Sequence, residues 1–295
     1  MMVVGKLRNA LLALALLAVA GIAAVFLLGS LLAAPAQRVV GPAPADLHAI
    51  DVAFDGVRGW FVAAGEGAPC VLLMHGVRSD RRSMIERARL LRDAGYATLL
   101  FDFQAHGESP GERITFGYRE SANAQAAVAV LRTRFHCSRI AAIGQSLGGA
   151  AALLGDGPIQ VDALILESVY PTIEDAVADR IALFLGKPGR RLAPLLLQQL
   201  EPRLGVNVRE LRPIERIGAY HGPLLMMSGT EDRRTLMSET LQLFAAANSP
   251  KQLWPVVGAG HVDLQQFDPN TYAEKLLGFL GTYMPVAAGQ TGRGS

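Results

Sequence analysis

A chain of 295 residues has room for one large domain with an attachment, and its net charge of +2 gives no support to nucleic-acid binding. No run of basic residues interleaved with aromatics resembles a phosphate-tracking surface. The chain is 51% hydrophobic and 18% charged, with a mean hydropathy of +0.27, and much of the apolar excess lies at one end.

Residues 9–37 carry no charge, and residues 11–32 are almost wholly Ala, Leu, Val, Ile, Phe and Gly. At a rise of 1.5 Å per residue, about 20 such residues cross the hydrocarbon core of a bilayer as a helix. Lys6 and Arg8 ahead of the run, and Ala34-Pro35-Ala36 behind it, also fit a cleavable signal peptide. The apolar core of a signal is shorter, about 7–15 residues, so an uncleaved anchor over residues 9–34 is the expectation and secretion after cleavage the alternative. No cysteine follows the run for lipid attachment. Lys6, Arg8 and the amino terminus precede the span, and only Arg38 follows it closely. Residues 1–8 are therefore expected in the cytoplasm and the remainder outside. The Ala/Gly/Arg-rich usage is that of a bacterial chain, for which this means a single-pass inner-membrane protein with a periplasmic domain.

Residues 35–46, rich in Pro, Ala and Gly, read as a linker to a domain at 47–286. Residues 47–64 suggest two antiparallel strands turning at Asp55-Gly56. Strand-length apolar runs then recur, each ending in residues that bear chemistry. Val71-Leu72-Leu73-Met74 leads to His75-Gly76-Val77, and residues 97–103 lead to Gln104-Ala105-His106-Gly107-Glu108-Ser109. Ile140-Ala141-Ala142-Ile143 leads to Gly144-Gln145-Ser146-Leu147-Gly148-Gly149, and Ala163-Leu164-Ile165-Leu166 to Glu167-Ser168. Pro223-Leu224-Leu225-Met226-Met227 leads to Ser228-Gly229-Thr230-Glu231-Asp232, and Leu253-Trp254-Pro255-Val256-Val257 to Gly258-Ala259-Gly260-His261. Runs of this length suit strands buried on both faces, and the helical spacing of residues 83–95 and 121–134 suits connecting helices. Residues 171–222 interrupt the alternation with two helical segments, 176–185 and 192–200, joined by the basic turn Lys187-Pro188-Gly189-Arg190-Arg191. Residues 272–283 read as a last helix and 287–295 as a disordered tail.

Gly-x-Ser-x-Gly between a buried strand and a helix is what a nucleophile elbow requires, with Gly144 and Gly148 letting the backbone close around Ser146. A serine, then an acid after a later strand, then a histidine after the next is the chain order of one group of hydrolases. On these motifs the chain resembles a serine hydrolase of the α/β-hydrolase superfamily over residues 50–285, and within it the membrane-anchored bacterial BEM46/ABHD13-like hydrolases.

The resemblance implies an α/β fold with a mostly parallel eight-stranded sheet, helices on both faces and a small helical cap at about 171–222. It implies Ser146 as nucleophile, His261 as its base and Asp232 as the acid that orients the imidazole, with the neighbouring Glu231 a turn charge. The backbone amides of Val77 and Leu147 would form the oxyanion hole. His75 is expected to shape that loop by hydrogen bonding. Asp102 and His106 lie in a motif that is architectural in relatives, with Gln104 and Ala105 replacing its usual Arg-Gly. Asp263 reads as a surface turn, with a supporting or substrate contact the alternative. Arg190 and Arg191 read as a solvated turn that could also face anionic head groups. In this strand order Cys70 and Cys137 start neighbouring strands, within reach of a disulfide, although two buried free thiols are the plainer reading.

The expected activity is hydrolysis of carboxylic esters or related acyl bonds through an acyl-enzyme, acting on a small-molecule or lipid ester. Thioesterase, peptidase or acyltransferase chemistry would use the same triad, whereas a haloalkane dehalogenase would carry an aspartate in place of Ser146. A non-catalytic binding protein on the same scaffold is the rival from another class. No His/Cys/Asp/Glu cluster has metal-ligand spacing, no phosphate loop is present, and the chemistry needs no cofactor. The membrane, through the N-terminal helix, is the expected partner besides substrate. The acyl group, the alcohol and the oligomeric state are not encoded in spacing.

Overall fold

Alternation of side chains in the strands determines the architecture. The computed structural model describes residues 2–286, and the expected tail at 287–295 lies outside them. Eight strands form one sheet: β2 (Ile50–Phe54), β3 (Val57–Val62), β4 (Cys70–Met74), β5 (Ala97–Asp102), β7 (Ile140–Gln145), β8 (Ala163–Glu167), β9 (Leu224–Gly229) and β10 (Lys251–Val256). Two further short strands, β1 (Ala36–Gln37) and β6 (His106–Gly107), pair with each other. The order is β10-β9-β8-β7-β4-β5-β3-β2, parallel from β10 through β5, with β3 antiparallel to both β5 and β2. At the β2–β3 turn Asp55 and Gly56 both take positive φ, 45° and 78°, as a two-residue hairpin requires.

Leu72, Met74, Leu99, Phe101, Ala142 and Leu166 point to one face, while Val71, Leu73, Leu100, Ile143 and Ile165 point to the other. Neither face meets water, which explains the unbroken apolar runs. One face is covered by α3 (Tyr118–Thr133) and α4 (Leu147–Leu153), the other by α2 (Ile85–Asp93) and α11 (Pro269–Tyr283). The cap follows β8 and comprises α5 (Ile173–Gly189), α6 (Ala193–Leu197), α7 (Leu200–Leu204) and α8 (Pro213–Arg216). Helix α5 breaks at Gly186, whose φ of 69° is open to glycine, two residues before Pro188. Helices α9 (Met237–Ala246) and α10 (Leu264–Phe267) complete the chain.

The apolar N-terminal segment is one helix, α1 (Met2–Ala33), of which Lys6–Ala33 is long and apolar enough to cross a membrane, as an anchor or a signal sequence would be. The segment 35–46, expected to be a linker, is instead bound along the domain. Ala36 and Gln37 pair with His106 and Gly107, Ala36 N–H donates to the Ala105 carbonyl at 2.7 Å, and Glu108 accepts from the amides of Val40 and Gly41. Composition alone does not reveal this, because the partners are backbone groups far along the chain. Ile114 N–H reaches the Ala33 carbonyl at 2.9 Å, and the Arg78 guanidinium reaches the carbonyls of Leu31 (3.0 Å) and Ala34 (3.4 Å). The last carbonyls of α1 are thus satisfied by the domain itself.

Cys70 and Cys137 form a disulfide, with Cα atoms 5.9 Å apart. The free-thiol reading gives way because Cys70 starts β4 beside β7, and the Cys137 amide is held by the Leu131 carbonyl. The bridge closes a loop of 67 residues, so its loss releases considerable chain entropy in the unfolded state. Replacing both cysteines by alanine is expected to cost about 2–4 kcal/mol, read by denaturant titration against the oxidised protein.

Candidate active site

Parallel strands deliver their following loops to one edge of the sheet, and there the residues singled out in the sequence gather. Ser146 ends β7 and opens α4, at φ 49° and ψ −107°, a conformation that is strained for any residue with a Cβ. It persists because its surroundings leave no alternative. A Cβ on Gly144 would lie 2.5 Å from the Gly149 amide nitrogen, and one on Gly148 would run into the Met74 carbonyl. The Ser146 amide donates to the Glu167 carbonyl at 2.8 Å. The residue is mostly buried, and its hydroxyl makes no hydrogen bond among the described residues.

Asp232 follows β9 and His261 follows β10, and the two meet: Nδ1 of His261 lies 2.7 Å from Oδ2 of Asp232. The other carboxylate oxygen accepts from the amides of Arg234 (2.8 Å) and Thr235 (3.0 Å). Burial pushes the Asp232 carboxyl up, but the hydrogen bond and charge of His261, with those two amides, more than offset it and hold it below the ordinary value. A carboxylate can only accept, so Nδ1 of His261 is the donor, which in the neutral ring leaves the lone pair on Nε2. The adjacent Glu231 is exposed and engages through its backbone, donating to the Ala259 carbonyl at 2.9 Å. Asp232 is therefore the acid in contact with the histidine. Ser146 shares the edge with this pair, while a Ser146–His261 hydrogen bond is not formed.

The loop after β4 passes directly over the elbow. A Cβ on Gly76 would be 3.8 Å from Cβ of Ser146, so Val77 follows a residue in contact range of the serine. The amides of Val77 and Leu147 donate to no acceptor among the described residues. His75 anchors this loop. Phe103 N–H donates to its Nε2 at 3.1 Å, which leaves Nδ1 to donate to the Gly76 carbonyl at 2.8 Å. Burial, then the neighbouring His106 ring 5.1 Å away, pushes His75 down to about 3, so it is a neutral hydrogen-bonding strut. Asp102 accepts from the amides of Arg81 (2.7 Å) and Glu108 (2.9 Å) and pairs with the Arg81 guanidinium. His106 Nδ1 donates to the Gln104 carbonyl at 2.9 Å. Both have the architectural role expected of their motif.

A second group escapes sequence reading. Arg87 of α2 is fully buried, with Nη2 2.6 Å from Oε2 of Glu167 and Nη1 2.7 Å from Oδ2 of Asp263. The Tyr272 hydroxyl donates to Oε1 of Glu167 at 2.5 Å. Asp263 is thus no surface turn: it ties the histidine loop to Arg87 and caps α10 by accepting from the Gln266 amide. The signal available was Arg87 itself, which shares a helix face with Met84, Ala88 and Leu91. A charge at an apolar position of helical period calls for a buried partner, and Glu167 at the end of an apolar strand supplies it.

A mostly parallel sheet of this order, with an elbow serine and a carboxylate-bound histidine at its carboxyl edge, defines an α/β-hydrolase scaffold. The chain matches the alpha/beta hydrolase family over residues 71–275 and belongs to it. It is 29% identical over 252 residues to the uncharacterized protein Rv2307c of Mycobacterium tuberculosis, covering 84% of each chain. It is 27% identical over 245 residues to the alpha/beta hydrolase domain-containing protein WAV2 of Arabidopsis thaliana, covering 78% of this chain and 77% of that one. The Pyrococcus furiosus esterase Pf2001 superposes with a TM-score of 0.69 at 23% identity, covering 86% of this chain and 98% of that one, a likeness of fold.

Two outcomes follow from this geometry. Arg87→Ala would leave Glu167 and Asp263 without their counter-charge and is expected to destabilise the protein by about 3–5 kcal/mol, seen as a lowered thermal midpoint. For His75, the folded value of about 3 lies below the unfolded value near 6.5, so the folded state binds fewer protons between them. Its contribution is complete above about pH 6.5 and is lost as pH falls toward 3. Nitrogen NMR should accordingly show a neutral His75 ring protonated at Nδ1 at pH 8 and still at pH 5, and an imidazolium at pH 5 would contradict it.

Proposed function

We propose that this hydrolase cleaves carboxylic esters or related acyl bonds through an acyl-enzyme on Ser146. The observation that carries the reading is the Asp232–His261 hydrogen bond at the sheet edge that bears the elbow serine. In this scheme His261 rotates into reach of Ser146 once substrate is bound, and Nε2 takes the hydroxyl proton as the oxygen attacks the carbonyl carbon. Asp232 holds the imidazolium, and the Val77 and Leu147 amides receive the oxyanion. Collapse expels the alcohol, which takes its proton from Nε2. Water, deprotonated by His261, then frees the acid and regenerates the serine. Bonds that open at a contact longer than a hydrogen bond in the empty enzyme and tighten around substrate are common at such sites.

The domain follows the anchor on the periplasmic side of a bacterial inner membrane, with 1–8 in the cytoplasm, the span at 9–34 and the cap at about 171–222 over the site. The Cys70–Cys137 disulfide supports this side, because disulfides persist in oxidising compartments.

Labelling with a fluorophosphonate, followed by mass mapping, should place the adduct on Ser146, with none in Ser146→Ala. Turnover of a short acyl ester is expected to fall by about 10³-fold or more in Ser146→Ala and His261→Ala, and by about 10³–10⁴-fold in Asp232→Asn. Turnover that survives Ser146→Ala, or folded wild-type protein that takes no label, would defeat the proposal and favour a binding protein on this scaffold.

A further inference from the structure

We infer that the outer face of the cap is seated in the bilayer leaflet that α1 enters, so that the substrate is an ester of a long acyl chain drawn from that leaflet. This rests on the reading of α1 as a retained anchor and deepens the reading of the site.

The first observation is the cap surface. Phe184 is 86% exposed, Leu185 59%, Leu192 44% and Leu195 47%, all within twelve consecutive residues of the cap, from the end of α5 into α6. Scattered exposed leucines are ordinary, whereas a cluster of large apolar side chains on a lid marks a surface meant to be covered. Lys187 and Arg191 are exposed among them, an arrangement suited to phosphate head groups above buried apolar side chains. Arg190 is excluded from that role, since it turns inward to pair with Asp179 and Asp175.

The second observation names the occupant. Helix α1 packs directly on α6 and α7. Gln199 donates to the Val25 carbonyl at 3.1 Å, and Arg203 donates to Ser30 Oγ and to the Phe26 carbonyl (3.0 Å) while stacking over the Phe26 ring at 4.2 Å. The cap therefore begins to touch the helix at Val25. The uncharged stretch before that point, residues 9–24, spans only about 24 Å, against a hydrocarbon core of about 30 Å. The missing length, about 6 Å, has to come from the part of α1 that carries the cap. Leu27, Leu28 and Leu31 remain exposed alongside it, as a lipid-facing flank would be. The level of the cap in the leaflet is thereby fixed, and a depth of this order is that of interfacial helices.

The third observation is an apolar crevice at the join of α1 and the cap. It is narrow and runs between Gly29, Leu32 and Ala33 of α1 and Leu196 and Leu200 of the cap, floored by Phe116. Phe116 and Val77 pack against the same small apolar cluster of Ala36, Ala105 and Ile114. The crevice is where an acyl chain leaving the leaflet along α1 would enter the cap.

Full-length protein in vesicles of phosphatidylethanolamine and phosphatidylglycerol tests this. Phe184→Cys, Leu195→Cys and, at the opposite edge of the sheet, Thr133→Cys would each carry an environment-sensitive dye, the native cysteines being paired. Dyes at 184 and 195 should shift to the blue and be quenched by lipids bearing a spin label on the acyl chain, with that at 133 unaffected. The double variant Phe184→Glu, Leu185→Glu is expected to lose about tenfold or more in hydrolysis of a long-chain ester held in the vesicles while keeping that of a soluble short-chain ester. Protein that resists alkaline extraction yet shows water-exposed dyes at 184 and 195 overturns the seating and leaves the anchor standing. Release of the chain from the membrane overturns both, and the dye readout is independent of whether Ser146 reacts.

Discussion

The buried charge of Arg87 ties together elements that carry the candidate site. A guanidinium with no access to water is tolerated only when its hydrogen bonds and charge are answered, and here the answers come from Glu167, Asp263 and Tyr272. These residues belong to the end of β8, the histidine loop and α11, so one side chain of α2 fixes the relative placement of three other elements. The same Glu167 holds the Ser146 amide through its carbonyl. The loop bearing His261 and the elbow bearing Ser146 are consequently referenced to a common point. A hydrophobic replacement of similar volume often equals such an ion pair in stability but carries no such directional information.

A second set of constraints acts through exclusion. Ser146 holds a left-handed φ because Gly144 and Gly148 let the backbone come closer than any Cβ permits. Above it, the loop through Gly76 and Val77 is held by a histidine kept neutral by burial, which makes two hydrogen bonds without adding charge beside the serine. A site proposed to receive a developing oxyanion gains from dipoles that are already oriented. The amides of Val77 and Leu147 donate to no acceptor among the described residues.

What could be read from the sequence divides along physical lines. The sheet was legible because strands buried on both faces must be apolar throughout, and the elbow because close backbone approach demands glycine at fixed spacing. Gly258-Ala259-Gly260-His261 and the Ser-Asp-His order place their residues by chain position alone. The Arg87 network was not legible in that way, since its members lie up to 185 residues apart and meet only after α2 and α11 have packed on the same face. Asp263 reads as a turn residue for the same reason: its partner is contributed by a distant helix. Residues 35–46 have a linker's composition but a bound segment's hydrogen bonds, and backbone pairing leaves no mark on side-chain identity. The disulfide needed the Cα separation at the start of β4 and β7, which spacing does not supply.

The join between α1 and the domain ties that helix to the candidate site. A tether that only kept the enzyme near a membrane would work through a flexible connection. Here the carbonyls of Leu31 and Ala34, at the end of α1 and just past it, are bound by Arg78, the residue after Val77, and Arg38 donates in turn to the Arg78 carbonyl at 2.7 Å. Ala33 is buried in the main core cluster, and Ala36 is paired in a sheet with β6, the short strand within the motif of Asp102 and His106. The helix axis and the loop through Val77 therefore share a frame with almost no intervening freedom. Any shift of α1 against the domain would be felt first at Arg78 and then at the neighbouring Val77, so the placement of the helix and the geometry of the candidate site are linked.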